Sequence, residues 1–224
     1  ALGLGNARAE AAIKNNMAEC YAKLGMREAA LALYDEVGDI YLNLGDSVGY
    51  AGFLINLSAE LQDAGEIARA AETAMHAIRV KEATGDSVQL AFFYNKMAEL
   101  IEITQPERSY AWLLRAYALT ENPLHTSDNT TISIYNNLAK MYRNLADYDS
   151  ALTFYDSVYQ ASSRRGHREG MEVGLSNMAQ LHARLGNAAK ALSLHLQAAE
   201  ISRDGQNTFR QSGHLINAGR LHSK

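Results

Sequence analysis

One pattern returns along this chain at a nearly constant interval. A large apolar residue followed by a small one stands at Met17-Ala18, Leu57-Ser58, Met97-Ala98, Leu138-Ala139 and Met178-Ala179. A turn follows each pair, at Gly25, Gly65, Gln105, Ala146 and Gly186, with spacings of 40, 40, 41 and 40 residues. Four residues before each turn come Tyr21, Leu61, Ile101, Tyr142 and His182. Five after it come Ala30, Ala70, Tyr110, Ala151 and Ala191, and nine after it Tyr34, Ala74, Leu114, Tyr155 and His195. A fixed period of this length marks stacked like units rather than one globular core. Each copy, of which Asn137–Val158 is representative, reads as two amphipathic helices joined by a tight turn. A small residue on the first helix must face a small residue on the second before the axes can approach, and the large residues fill the volume beside them.

These positions resemble the tetratricopeptide repeat: large-small on the first helix, a large residue one turn later, Gly at the turn, then Ala, Tyr and Ala on the second helix. The usual repeat has 34 residues. The longer copies here look like the extended variety of kinesin light chains and many bacterial signalling proteins. The extra residues lengthen each helix by roughly one turn, at ~3.6 residues per turn. The resemblance implies an all-α fold, a right-handed α-α superhelix of antiparallel helix pairs. It also implies a protein- or peptide-binding scaffold rather than an enzyme. The copies are expected over residues 7–45, 46–85, 86–125, 126–166 and 167–206, with a partial sixth over 207–224, all in one array.

Within the first copy, helices are expected over about Ala7–Leu24 and Arg27–Asn43. Asp46-Ser47 and Asp86-Ser87 are the expected N-caps of the next two copies, because their side chains can accept from free backbone N–H groups. The third copy is irregular. Pro106 falls at a first helical position, where its missing N–H is harmless. Tyr110 replaces the alanine of the other four copies, and bulk there must either widen the helix pair or swing out of it. The junction Glu121–Asp128 carries the extra residue of the 41-residue spacing; Pro123 ends one helix, and Thr126, Ser127 or Asp128 starts the next. It reads as a tolerated bend, with a hinge or side pocket as the functional alternative. The run from Ser162 to Glu169 reads as a basic, solvated helix end.

The 224 residues are 47% hydrophobic and 21% charged, which suits a folded chain. The net charge of −4 offers no general attraction to nucleic acid or anionic membrane. The sign reverses along the chain: residues 1–120 hold 10 basic and 16 acidic residues, residues 121–224 hold 11 and 9. Cys20 is the single cysteine, so no internal disulfide forms and the redox compartment stays open. No apolar run approaches the ~20 residues of a membrane span. Both ends cut a repeat: Leu4-Gly5-Asn6 matches the tail of a second helix and Asn217-Ala218-Gly219 the start of a sixth copy. The expected setting is a soluble segment of a longer cytoplasmic or periplasmic protein.

No nucleotide-binding loop, CxxC, HExxH or nucleophile elbow is present, and no cofactor is implied. His182 and His195 face each other inside the fifth copy, where Tyr21/Tyr34 and Tyr142/Tyr155 stand in others. They read as packing histidines in preference to metal ligands, and His222 holds the matching place in the sixth copy.

One row of polar residues stands out. Just before the large-small pair come Asn16, Asn56, Asn137, Asn177 and Asn217, broken only by Lys96. The position faces away from the second helix, into what the resemblance makes the concave groove. Asn offers both donor and acceptor, so a ladder of them can hold the backbone of an extended peptide of any sequence. The competing reading is that they bond to the adjacent helix. Groove neighbours in the first three copies include Glu19, Lys23, Asp63, Glu99 and Glu102; in the last three they are Lys140, Arg143, Arg184, Arg220 and Lys224. The groove is therefore expected to be basic at its C-terminal end. The Lys-Asn-Arg clamp for chaperone tails seen in some relatives is not supplied by any three consecutive copies. The partner expected is a protein or extended peptide. The alternatives are a structural array whose groove is filled by its own absent segments or a second copy of the chain, and a regulatory domain with a closed small-ligand pocket near Tyr110 and Trp112.

Overall fold

The structure is a computed structural model that describes residues 2–121, 127–204 and 208–222, with side chains over 5–121, 127–203 and 210–219. The described residues hold eleven helices and no strand. They fall into two compact units, Ala1–Thr126 and Ser127–Lys224. In the first, α1 (Leu2–Lys23), α2 (Arg27–Asn43), α3 (Ser47–Asp63), α4 (Ile67–Thr84), α5 (Leu90–Ile101) and α6 (Pro106–Tyr117) form three antiparallel pairs. In the second, α7 (Asp128–Asn144) pairs with α8 (Tyr148–Ser163) and α9 (Arg168–Arg184) with α10 (Ala188–Asp204), and α11 (Thr208–His222) packs on α10.

The turns show why glycine recurs every forty residues. After α1, Gly25 takes φ +74°; its N–H bonds Ala22 O, and the next N–H, of Met26, reaches back to Tyr21 O. That double bond is the Schellman closure, which satisfies orphan carbonyls and requires a left-handed residue. Gly65 and Gly186 repeat it at φ +80° and +81°. Ala146 repeats it at φ +60° with a Cβ in place, a conformation that costs a non-glycine residue about 1 kcal/mol. Ala146→Gly is therefore expected to raise stability by about 0.5–1 kcal/mol, read as a higher urea midpoint with an unchanged slope.

The small-small contacts sit where the pattern puts them. Ala18, Ala139 and Ala179 on first helices, and Ala70, Ala151 and Ala191 on second helices, have no exposed surface, and Ala30 and Ser58 are almost as deeply buried. In the second unit Tyr155, Leu175, Met178, Leu181 and Leu194 complete a continuous core around them. At Gly174 of α9 the close atoms are backbone: a Cβ there would stand 2.9 Å from Tyr159 N and 3.1 Å from Tyr155 O.

The third pair departs from its sequence register. Tyr110 is not the residue in the close contact. Ser109 is, at 1% exposure, and its hydroxyl donates to Ala98 O at 2.8 Å. Eleven residues separate Ala98 from Ser109, against twelve between Ala18 and Ala30. The turn before α6 is one residue shorter: Gln105 has φ −144° and its N–H bonds Ile101 O, with no left-handed residue. The slip carries through α6, where Leu113 is buried and Leu114 exposed. Tyr110 swings to a half-buried place instead of widening the pair.

Other boundaries differ as well. α1 runs back helically through Gly5 to Leu2, so no turn separates the first residues from it. Asp46 caps α3 as expected, accepting from Gly49 N at 3.0 Å. Asp86 does not cap α5. Its carboxylate is held by Lys81 Nζ at 2.7 Å and by Val88 N at 3.0 Å, and α5 starts only after Gln89, at φ +56°. Lys81 is buried and explains the change: it takes Asp86 and Val88 O together, and its ammonium holds the Asp86 carboxyl below the usual range. Ser127 is the residue that caps α7. The rest of the Glu121–Asp128 junction, residues 122–126, lies outside the described residues, as do Lys224 and the side chains of Arg220 and His222.

Candidate functional site

On the first helices of the first unit, Asn16 and Asn56 project from the same helical face and line one groove of about 780 Å³. Both are exposed and make no side-chain hydrogen bond among the described residues. One turn earlier on each helix stand Ala12 and Gly52, also lining the groove. Residues four apart share a helix face, so these small residues leave the space that the asparagines border. No atom lies within 4 Å of a Cβ placed on Gly52. The equivalent residue of the third copy is Phe92, which lines the groove with Phe53, Tyr41 and Val88. Lys81 and Asp86 also line it but neutralise each other. An uncharged, partly aromatic groove edged by amide side chains can take apolar side chains while the amides meet peptide backbone.

In the second unit Asn177 and Asn217 line a smaller groove of about 310 Å³ between α9 and α11. Val173 and Gly213, one turn earlier on each helix, line it too. Asn177 also follows the competing reading: its Nδ2 donates to Asn136 Oδ1 on α7 at 3.2 Å. Glu172, Arg210 and His214 line the same groove, and Arg210 is engaged by Glu169 and, at 3.6 Å, by Glu172.

The other candidates lie elsewhere. Lys96 is half-buried and paired with Glu99 at 2.9 Å, its ammonium 5.9 Å from the Phe92 ring centroid. Asn137 and Lys140 are half-buried on α7, Arg143 reaches Asn144 Oδ1 at 3.5 Å, and Arg184 is exposed in the last turn of α9. None of these five lines either groove. Trp112 stacks instead on Arg115, whose guanidinium also lies over Tyr94 and pairs with Glu82 at 2.7 Å. Neither Tyr110 nor Trp112 lines the grooves described. The groove floor was missed in the sequence, yet its signal was there: Ala12, Gly52, Phe92, Ser133, Val173 and Gly213 recur at the same interval, four residues before each member of the polar row.

The histidines are packing residues with a titration consequence. His195 is 3% exposed, and its ring centroid is 6.2 Å from that of His214. Burial, then the His214 charge, lowers the His195 pKa. Burial also lowers His214, with Arg210 acting the same way and Glu172 opposing, and lowers His182, with Lys190 adding to it. Among the described residues no group of three or more His, Cys, Asp or Glu is placed to hold a metal ion. A folded-state pKa below the unfolded value of ~6.5 means that the unfolded chain binds more protons, so stability falls as pH drops through and below that value. The free energy of urea unfolding is expected to drop between pH 7 and 5.5, by less than ~1.4 kcal/mol per pH unit for each histidine. His195→Gln is expected to flatten the dependence.

No helix among the described residues is long and apolar enough to cross a membrane. The tetratricopeptide repeat profile matches residues 130–204, which span most of α7 to the end of α10. No curated protein matches the chain. Among solved structures, aspartyl phosphate phosphatase F from Bacillus subtilis is 12% identical with a TM-score of 0.82, over 98% of this chain and 57% of that one. A signal transduction ATPase with numerous domains, with a tetratricopeptide repeat sensor, from Pyrococcus horikoshii is 13% identical at 0.77, over 96% and 33%. The kinesin light chain-like repeats of Podosopora anserina are 16% identical at 0.69, over 89% and 97%. The chain thus spans little more than half of the first and a third of the second, and at these identities the likeness is one of fold. Residues 130–204 match the tetratricopeptide repeat, and the helix pairs of both units share the fold of these repeat structures.

Proposed function

We propose that the chain is a protein-binding scaffold that holds an extended polypeptide along its first helices, as the recognition or sensor region of a larger signalling or assembly protein. The observation that carries this is the pair Asn16 and Asn56: exposed, without hydrogen-bond partners among the described residues, and bordering a groove with an aromatic floor. The similar structure that contains a tetratricopeptide repeat sensor within a signal transduction ATPase supports the setting. Asn137, Asn177 and Asn217 extend the same row. Lys140, Arg143 and Arg184 line neither groove; as basic residues of the second unit they would act on an acidic bound segment through charge alone, in keeping with the charge reversal along the chain.

The test uses peptides selected from a random library against the whole chain. Asn16→Ala with Asn56→Ala is expected to weaken binding by about 1–3 kcal/mol, at about 0.5–1.5 per hydrogen bond, with helicity unchanged. Charge reversal at Arg143 and Arg184 is expected to weaken an acidic peptide more at low salt than at high, because exposed charges are screened. Parent-like affinity in the asparagine variant would defeat the proposal.

A further inference from the structure

A second cavity in the first unit, of about 260 Å³, lies between α1, α2 and α3 and shares no lining residue with the asparagine groove. Its walls are largely apolar, from Ala22, Ala30, Leu31, Leu57, Leu61 and Ala64. Four polar side chains line it: Arg27 and Glu66, which pair with each other, and Tyr34 and Glu60. Tyr34 lines it at 4% exposure, and its hydroxyl has no hydrogen-bond partner. Glu60 lines it half-buried, with no hydrogen bond or ion pair to any described residue. Tyr155, the counterpart of Tyr34 in the second unit, is fully buried in the core.

The charges around the cavity favour a cation. Glu66 at its edge is occupied by Arg27 and Arg69. Glu60 faces Glu19 and Asp63, with Lys23 the one opposing charge acting on it. Burial first, then those two carboxylates, raises the Glu60 pKa. The Tyr34 hydroxyl is raised by burial and then by the charges of Glu60 and Glu19. A cation entering here would relieve repulsion and give an unpaired carboxylate its partner.

We infer that this cavity receives a basic side chain of a partner polypeptide, its methylene stem along the alanine and leucine walls and its charged end between Glu60 and the Tyr34 hydroxyl. A lysine suits both requirements, with an apolar stem and a charged tip. The inference does not rest on the asparagine groove, and either can fail without the other.

The test compares acetyl-Gly-Lys-Gly-amide with acetyl-Gly-norleucine-Gly-amide by methyl NMR on the whole chain. The lysine peptide is expected to give saturable shifts at Ala22, Ala30, Leu57 and Leu61. Glu60→Gln should weaken it about tenfold, as loss of a charge-assisted bond implies. Tyr34→Phe should weaken it about threefold. Tyr34→Phe removes a hydroxyl that lacks a partner and Glu60→Gln removes an unpaired charge, so their helicity and urea midpoints should hold at or above the parent's. Equal binding of the norleucine peptide, parent-like affinity in both variants, or no saturable shift at these four residues would overturn the inference.

Discussion

Gly174→Ala is expected to destabilise the second unit by about 1–3 kcal/mol, although the same replacement in an open helix gains up to about 1 kcal/mol from helix propensity. The new methyl would stand 2.9 Å from Tyr159 N and 3.1 Å from Tyr155 O. Those are backbone atoms of α8, which cannot turn aside as a side chain would, so α8 and α9 must separate along their core contact. That core includes Tyr155, Leu175 and Met178, and interiors packed at crystal density do not absorb such a shift. Gly52→Ala supplies the contrast, since nothing lies within 4 Å of its Cβ; there the propensity gain should appear as added stability. Urea unfolding of the two variants is the measurement. A Gly174→Ala protein as stable as the parent would mean that the two helices do not approach as described.

The second large effect distinguishes neighbouring residues. Ala151→Leu and Ser109→Leu should each cost about 1–3 kcal/mol from overpacking, because both side chains sit in the small-small contact of a helix pair at 0% and 1% exposure. Ser109→Leu also leaves Ala98 O without the hydroxyl that bonds it. Tyr110→Leu should cost less than either, since Tyr110 stands at the edge of its pair. Equal losses at 109 and 110 would show that the third pair keeps the register of the others.

That register shows where sequence reasoning stops. The large-small pairs and the turn glycines were legible because the copies repeat one packing contact and, in all but the third, one left-handed turn. The slip at Ser109 was not, because Ser, Tyr and Ala all occur on second helices, and only the missing Schellman closure at Gln105 reveals the shorter turn. The same holds for Asp86. Its Gly-Asp-Ser context matches that of Asp46, but buried Lys81, five residues earlier in the sequence, claims the carboxylate. In the candidate site the polar row was legible as a row. Which members border open space was not, because that depends on the residue one turn earlier: Gly52 leaves room beside Asn56, while Phe92 fills it beside Lys96. The basic residues Lys140, Arg143 and Arg184 were legible as charges, but their places outside both grooves follow from side-chain direction on α7 and α9.

Binding of a polypeptide against the asparagine-bearing face of the first helices is tested at the groove itself. The most direct measurement is methyl NMR mapping of a library-selected peptide on the whole chain, repeated on Gly52→Leu, which would fill the groove beside Asn56. Shifts are expected at Ala12, Val48, Ile55 and Val88, which line that groove, with their loss in Gly52→Leu while helicity is retained. Shifts confined to exposed second-helix positions such as Ala68 on α4 or Leu196 on α10, unaffected by Gly52→Leu, would contradict it.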